Sequence, residues 1–131
     1  MALALTFNDA DGYLLARLEG EWTPSALSER IRCIASTAQE RGYERVLVDI
    51  REMSAPARGF YRYIAGEDVA KYFGTSVSVA AVYRAELIDK FVENVAVNRG
   101  ARFIVVPSFE EALDWLEPET ALDRLGRCAT I

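Results

Sequence analysis

The sequence predicts an α/β fold: a single domain on a mixed, mostly parallel β-sheet, with an N-terminal antiparallel hairpin and about four helices. Three observations carry that prediction. Two short apolar segments flank the turn-like Asp9-Ala10-Asp11-Gly12. Three continuous apolar runs, RVLVDI, SVAAVY and RFIVV, have the length and composition of strands covered on both faces. Segments of helical periodicity alternate with those runs, as in strands joined through crossover helices. The chain of 131 residues suits one domain with a core at about 3–117 and a short tail over 118–131.

Taken in order, Leu3 to Phe7 and Tyr13 to Glu19 form the hairpin strands, the second placing Leu14, Ala16 and Leu18 on one face. The first helix is announced by Thr23 as N-cap and Pro24 at the first helical position, with Trp22 placed to staple onto Leu27. Leu27, Ile31, Ile34 and Ala38 make its inward stripe, and Gly42 stops it. Arg45 to Ile50 is a central strand interrupted only by Asp49. Met53 to Gly59 reads as loop, and Phe60 to Phe73 as a helix weakened in the middle by Gly66, with Tyr61, Ala65, Val69 and Tyr72 inward and its arginines solvated. Ser78 to Tyr83 and Arg102 to Val106 are two further buried strands, joined by a helix over Glu86 to Arg99 that ends at Gly100. This helix carries Leu87, Ile88, Phe91, Val92, Val95 and Ala96 as a broad apolar stripe, the pattern of deep burial or of an oligomer contact. Ser108 and Glu111 form a capping box for the last helix, whose stripe is Phe109, Ala112, Leu113 and Leu116 and which Pro118 ends. In the tail, Glu119 to Ile131, Leu122 and Leu125 are candidates for packing down.

Composition narrows the chemistry. With 15 basic and 20 acidic residues the formal net charge is −5, which argues against nucleic acid and against an anionic membrane surface. The chain has no histidine, which removes histidine-based triads, dyads and imidazole metal sites. No G-x-G pair, G-K-[ST] or G-x-S-x-G motif is present, so dinucleotide, P-loop and esterase readings lose their support. Cys33 and Cys128 show no metal or redox spacing and read as reduced thiols without a role. No catalytic residue, metal or cofactor is expected. No apolar run reaches the roughly 18 residues of a membrane span, and the first residues lack a signal-peptide pattern, so integral membrane association is not expected and a cytoplasmic location is.

Candidate binding residues come from the ends of the parallel strands, where α/β sheets tend to hold ligands. Asp49 lies inside an apolar strand and must find hydrogen bonds or a cation, which Arg51 or Arg84 is placed to provide. Tyr83 stands beside Arg84 at the next strand end. Arg58 and Arg62, interleaved with aromatics, complete a candidate ligand set of Asp49, Arg51, Arg58, Arg62, Tyr83 and Arg84. Leu87, Phe91 and Val95 on the broad stripe, with Trp115 off the stripe of its own helix, are the candidate interface residues.

The motifs VLVDIREM after the first helix, ENVAVNRG closing the third and the terminal EEALDWL, in that order and spacing, resemble the SpoIIAA-like (STAS/SEC14-like) bacterial domain family over about Leu3 to Leu116. The resemblance implies a small mixed α/β domain without an established catalytic set, related to anti-sigma-factor antagonists and more distantly to lipid-carrying SEC14-type domains. Classical antagonists carry D-S-[ST]-G after the corresponding strand, with a phosphorylated serine. Here the region reads Ser54-Ala55-Pro56-Ala57-Arg58-Gly59, and the phosphoserine role is not transferred to Ser54.

The expected function is therefore a non-enzymatic binding or regulatory module that associates with a protein partner and forms a homodimer. A second reading is a carrier or sensor of a small apolar or anionic ligand, with the 60–73 helix as a cover over a pocket. A third is a small enzyme using Asp49, Glu52 and Arg84.

Overall fold

The computed structural model of the chain describes residues 3–117; the expected tail, with Leu122, Leu125 and Cys128, lies outside the described residues. Strands β1 (Leu3–Asp9) and β2 (Leu14–Gly20) form the hairpin, with Gly12 at φ 87° in its turn. Helix α1 (Pro24–Arg41) follows, then β3 (Arg45–Met53), α2 (Phe60–Phe73), β4 (Ser78–Val82), a 3-10 turn over Ala85–Leu87, α3 (Phe91–Asn98), β5 (Arg102–Val106) and α4 (Phe109–Leu116). The strands stand in the sheet in sequence order, β1-β2-β3-β4-β5, with β1 antiparallel to β2 and every other neighbour parallel.

That order dictates where the helices go. Each crossover joins a strand to its next neighbour on the same side, and crossovers share one hand, so all three crossover segments fall on one face of the sheet. Leu27, Ile31, Ile34 and Ala38 of α1, Ala65, Val69 and Phe73 of α2 and Ala96 of α3 indeed share one core with Val46, Val48, Val79, Ala81, Phe103 and Val105. Residues of opposite parity, Leu47, Ala80, Val82 and Val106, form a second, smaller core with Ala112 and Leu116 of α4 on the other face. The α1 and α4 boundaries follow the sequence signals: Thr23 Oγ1 accepts from the Ala26 amide, Gly42 is left-handed at φ 75°, and Ser108 Oγ accepts from the Glu111 amide.

The 86–99 segment departs from expectation. A continuous helix was predicted, whereas the chain makes a 3-10 turn, runs extended at Ile88 and restarts as a helix only at Phe91. The cause is local: Asp89 Oδ1 accepts the Phe91 amide at 3.0 Å, and Lys90 adopts φ 66°, which a helix interior does not tolerate. The stripe is broken accordingly, with Val95 and Ala96 buried, Ile88 and Val92 half-buried and Phe91 exposed. In α2, Ala65 and Val69 are buried as expected, while Tyr61 and Tyr72 are only half-buried and Phe73 takes a core position. Strand β3 also runs past Ile50 to Met53, so the loop begins at Ser54.

Gly66 is a packing residue as well as a weak helix former. A Cβ there would sit 2.7 Å from Val95 Cβ and 2.8 Å from the Val92 carbonyl oxygen, so its missing side chain lets α2 and α3 approach closely. Overpacking costs about 1–3 kcal/mol, and contacts of 2.7–2.8 Å that include a backbone oxygen belong to the upper part of that range, about 2–3 kcal/mol, against about 1 kcal/mol gained from replacing a helical glycine by alanine. Gly66→Ala is therefore expected to lower unfolding stability by about 1–2 kcal/mol, read from urea denaturation; an unchanged or raised midpoint would show that the two helices do not meet there.

Candidate functional site

Three strand ends meet at Ser54. Its amide donates to the Gly20 carbonyl at 2.9 Å, its Oγ accepts the Trp22 amide at 3.0 Å, and its carbonyl accepts the Tyr83 hydroxyl at 2.9 Å. The residue thus fastens the ends of β2, β3 and β4 through both backbone groups and its hydroxyl. Arg84 adds a fourth tie, donating to the Met53 carbonyl at 3.1 Å. Gly20, Glu21, Arg51, Glu52, Ser54 and Arg84 then line an open groove at these strand ends. Sequential strand order provides no point where the order reverses, so the deep crevice of doubly wound sheets does not form here.

Asp49 lies below this groove on the α4 face and is the one buried charged side chain among the described residues, 3% exposed. The expected partner Arg51 is present and donates through its amide at 3.2 Å and through Nε and a terminal nitrogen, each at 3.0 Å. The alternative partner, Arg84, points instead to Met53. A second cation comes from Arg17, whose Nε donates to Asp49 Oδ2 at 3.0 Å. Arg17 stands opposite Asp49 in the β2–β3 register and on the same face, a pairing legible in the alternation of both strands once they are placed side by side. Burial pushes the Asp49 carboxyl up, but the hydrogen bonds from Arg51 and Arg17 and the Arg51 charge outweigh it and hold the pKa below the usual value. Such a carboxylate stays ionised and has its oxygens engaged, which suits a structural anchor and not a proton acceptor. Arg51 also lies 4.8 Å from the Phe109 ring centroid, linking the anchor to α4.

Tyr83 and Arg62 belong to the opposite face. Tyr83 is buried with its ring 6.4 Å from that of Trp22, and burial pushes its hydroxyl pKa up. The α2 arginines were expected to be solvated; Arg62 is not, with a side chain 15% exposed that pairs with Asp89 at 3.4 Å and covers the Trp22 ring at 5.8 Å. Its aliphatic stem and planar head seal the top of the core while the charge finds its carboxylate. Beneath it, Trp22, Tyr83, Ile50, Met53, Val69 and Val92 are among the walls of an apolar cavity of about 70 Å³. The Trp22 indole Nε1 is buried and has no hydrogen-bond partner among the described residues. Arg58 is exposed on the loop before α2.

The six candidate ligand residues are thus spread over two faces and one end of the sheet, and only Arg51 and Arg84 share the groove. The candidate interface residues are also separated. Val95 is buried within the chain against Gly66 and so is closed to a partner, and Leu87 is half-buried in the 3-10 turn. Trp115, 37% exposed, lines a polar groove with Arg45, Ser78 and Arg102 at the strand starts. Phe91 is 43% exposed at the first position of α3, and Phe60, outside the candidate interface set, is 56% exposed at the first position of α2. Both helices begin where their preceding parallel strands finish, so these two rings project at the same end of the domain as the groove. Among the described residues no group of His, Cys, Asp and Glu side chains is placed to hold a metal ion. No described helix is long and apolar enough to cross a membrane.

No protein-family model matches the chain, and no curated protein matches it in sequence. Solved structures do match. An anti-sigma factor antagonist from Mycobacterium paratuberculosis superposes with a TM-score of 0.62 at 14% identity, over 88% of this chain and 94% of that one. A protein of the DUF3478 family with a SpoIIAA-like fold, from Shewanella loihica PV-4, gives 0.58 at 20% identity, over 88% of this chain and 94% of that one. The anti-sigma factor antagonist SpoIIAA in its unphosphorylated form gives 0.50 at 17% identity, over 85% of this chain and 96% of that one. The likeness is one of fold, and it spans nearly the whole of each chain: the protein has the SpoIIAA-like fold that its motifs resemble.

Because the Asp49 pKa is lowered in the folded state, its contribution is fully present above the unfolded carboxylate value and is lost as pH falls through the folded value. Asp49→Asn should lower stability at pH 7 by about 2–3 kcal/mol, the scale of hydrogen bonds to a buried charge. The gap between wild type and variant should stay constant down to about pH 5 and close below about pH 4. Asp68, whose carboxyl is raised by burial, is common to both proteins and cancels in the comparison. Urea denaturation across pH 3–8 checks this; a gap independent of pH would contradict it.

Proposed function

We propose that the chain is a non-enzymatic regulatory module that binds a protein partner through the end of the domain where its parallel strands finish. The observation that carries this reading is the exposure of Phe60 and Phe91, at 56% and 43%, at the same end of the domain as a groove lined by Arg51 and Arg84 with Glu21 and Glu52. Aromatic residues and arginine are enriched at interface centres, and the mixed charges suit a protein surface better than a polyanion. Two of the structures sharing the fold are anti-sigma factor antagonists, which supports a regulatory role of this kind. Asp49, ionised and held by two arginines, favours a structural over a catalytic part for the strand-end carboxylate. A cytoplasmic setting belongs to the same proposal.

The residues before α2 do not match the phosphoserine site of a classical antagonist. Gly59 precedes α2 and gives it no side-chain cap, and the nearby Ser54 hydroxyl is engaged by the Trp22 amide. Recognition therefore rests on the shape and charge of the strand-end surface.

A second reading, a carrier of a small apolar ligand, is favoured by one observation: the apolar cavity beneath α2, with an unpartnered indole N–H in its wall. Magnitude decides against it as the main role, since about 70 Å³ is far below the roughly 300–1,000 Å³ of ordinary ligand pockets. An acyl chain would enter only if α2 lifted and the Arg62–Asp89 pair opened.

A photo-crosslinking residue placed at Phe60 or Phe91 in the full chain, expressed in its native cells, should give one defined protein adduct from both positions and none from Gln39 on α1. Phe60→Ala with Phe91→Ala should weaken binding of that purified partner at least tenfold, corresponding to about 1.4 kcal/mol. Adducts absent from both positions, or equal at Gln39, would remove the proposal. Thermal-shift measurements with palmitate and oleate separate the second reading: the small cavity predicts no stabilisation, and a saturable rise of several degrees would make the carrier reading the better one.

A further inference from the structure

The two edges of the sheet are treated differently. On the β5 edge both backbone groups of Val105 are taken by side chains: Glu93 Oε1 accepts its amide at 3.0 Å and Lys90 Nζ donates to its carbonyl at 2.8 Å, while just before the strand the Ala101 amide bonds to the Ala96 carbonyl at 3.0 Å. Lys90 and Glu93 also pair with each other at 3.0 Å, so an ion pair blunts this edge at Val105.

On the β1 edge the outward groups can be identified from three contacts. The turn bond from the Ala10 amide to the Tyr13 carbonyl makes that pair a hydrogen-bonded one, and hydrogen-bonded pairs alternate along an antiparallel ladder. Ala4, Thr6 and Asn8 therefore bond to β2, while Leu3, Leu5, Phe7 and Asp9 turn their N–H and C=O groups away from it. Two further bonds agree: the Leu3 carbonyl accepts Arg30 Nε at 2.8 Å, and the Gly20 carbonyl, opposite Leu3, is turned towards β3 and accepts the Ser54 amide. No lysine, proline or bulge blunts the β1 segment, LALTFND.

We infer that β1 is a self-pairing edge: two copies of this chain join β1 to β1 in antiparallel register about a two-fold axis through Thr6, continuing one sheet through both. This register follows from the residues. Centring the axis on Thr6 pairs Leu5 with the other copy's Phe7 through their outward-facing groups and brings Leu3, whose carbonyl already accepts Arg30 Nε, beside its Asp9. Leu5 and Phe7 are half-buried on the α1 side, so each gains an apolar cross-strand neighbour. Charges also match: Arg30, seated at Leu3, faces the Asp9 carboxylate that Arg41 and Tyr43 hold in place in the other copy. A two-fold contact of this kind uses the same patch twice and closes at the dimer. It lies on a different element from the strand-end surface proposed for a partner, so either can fail alone.

Cysteine trapping tests the register. In the full chain with Cys33→Ser and Cys128→Ser, Thr6→Cys should oxidise to a covalent dimer, because across the axis its two copies form a non-hydrogen-bonded pair with Cα atoms about 4.5 Å apart, within disulfide reach. Asn8→Cys, roughly 13 Å from its own copy at about 3.4 Å per residue, should not. In sedimentation velocity without oxidant, Leu5→Pro or Phe7→Pro should raise the dimer dissociation constant at least tenfold, since each removes an outward N–H while leaving the β1–β2 bonds in place. A chain that stays monomeric at millimolar concentration, Asn8→Cys linking as fast as Thr6→Cys, or a dimer that leaves Thr6→Cys unlinked would each overturn the inference. Should both proline variants misfold, the cysteine pair decides the outcome alone.

Discussion

Sequential strand order is the constraint from which the other features descend. With β1 to β5 side by side in chain order and crossovers of one hand, α1, α2 and α3 must crowd onto one face, and their packing sets the size of the main core. Three helical segments over five short strands leave little room between neighbours. Gly66 answers that crowding by letting α2 lie against Val92 and Val95 without a side chain between them. Among the described residues the other face receives only α4, which covers Leu47, Ala80, Val82 and Val106.

Asp49 stands on this same face. A carboxylate there would be costly if bare, and Arg17 and Arg51 lie over it, desolvating it and neutralising it together. Arg51 then reaches Phe109, so the same cluster ties β2, β3 and α4. The strand ends above are fastened by Ser54 rather than opened into a crevice, which leaves the end of the domain as a surface with exposed rings and a shallow groove. Recognition by shape fits that surface better than chemistry inside a pocket.

Much of the fold was legible because its signals are local. Thr23 with Pro24, Ser108 with Glu111, and the three apolar runs each mark an element within a few residues, and the structure places those elements accordingly. The 86–99 segment was misread because its apolar spacing fits a helix throughout, while the interruption depends on one side-chain bond from Asp89 and on Lys90 turning to reach β5. The site was less legible because it is made by register. Asp49 announces its need for a cation, but Arg17 becomes the partner only once β2 is known to lie parallel beside β3. Arg62 was read as solvated because a helical wheel cannot show that Asp89 and Trp22 stand above it.

Winding to one side also leaves the sheet with two unlike edges among the described residues, one blunted at Val105 by Lys90 and Glu93 and one formed by β1, whose Leu5 and Phe7 backbone groups face away from β2. Residue-resolved hydrogen exchange, followed by NMR over a hundredfold range of protein concentration, examines that difference most directly. One-sided winding with a self-pairing β1 predicts slow exchange at Thr6, Asn8 and Val105 throughout, with Leu5 and Phe7 exchanging freely in dilute solution and becoming protected as concentration rises. Protection of Leu5 and Phe7 equal to that of Thr6 in the dilute monomer, or no protection of them at any concentration, would contradict it.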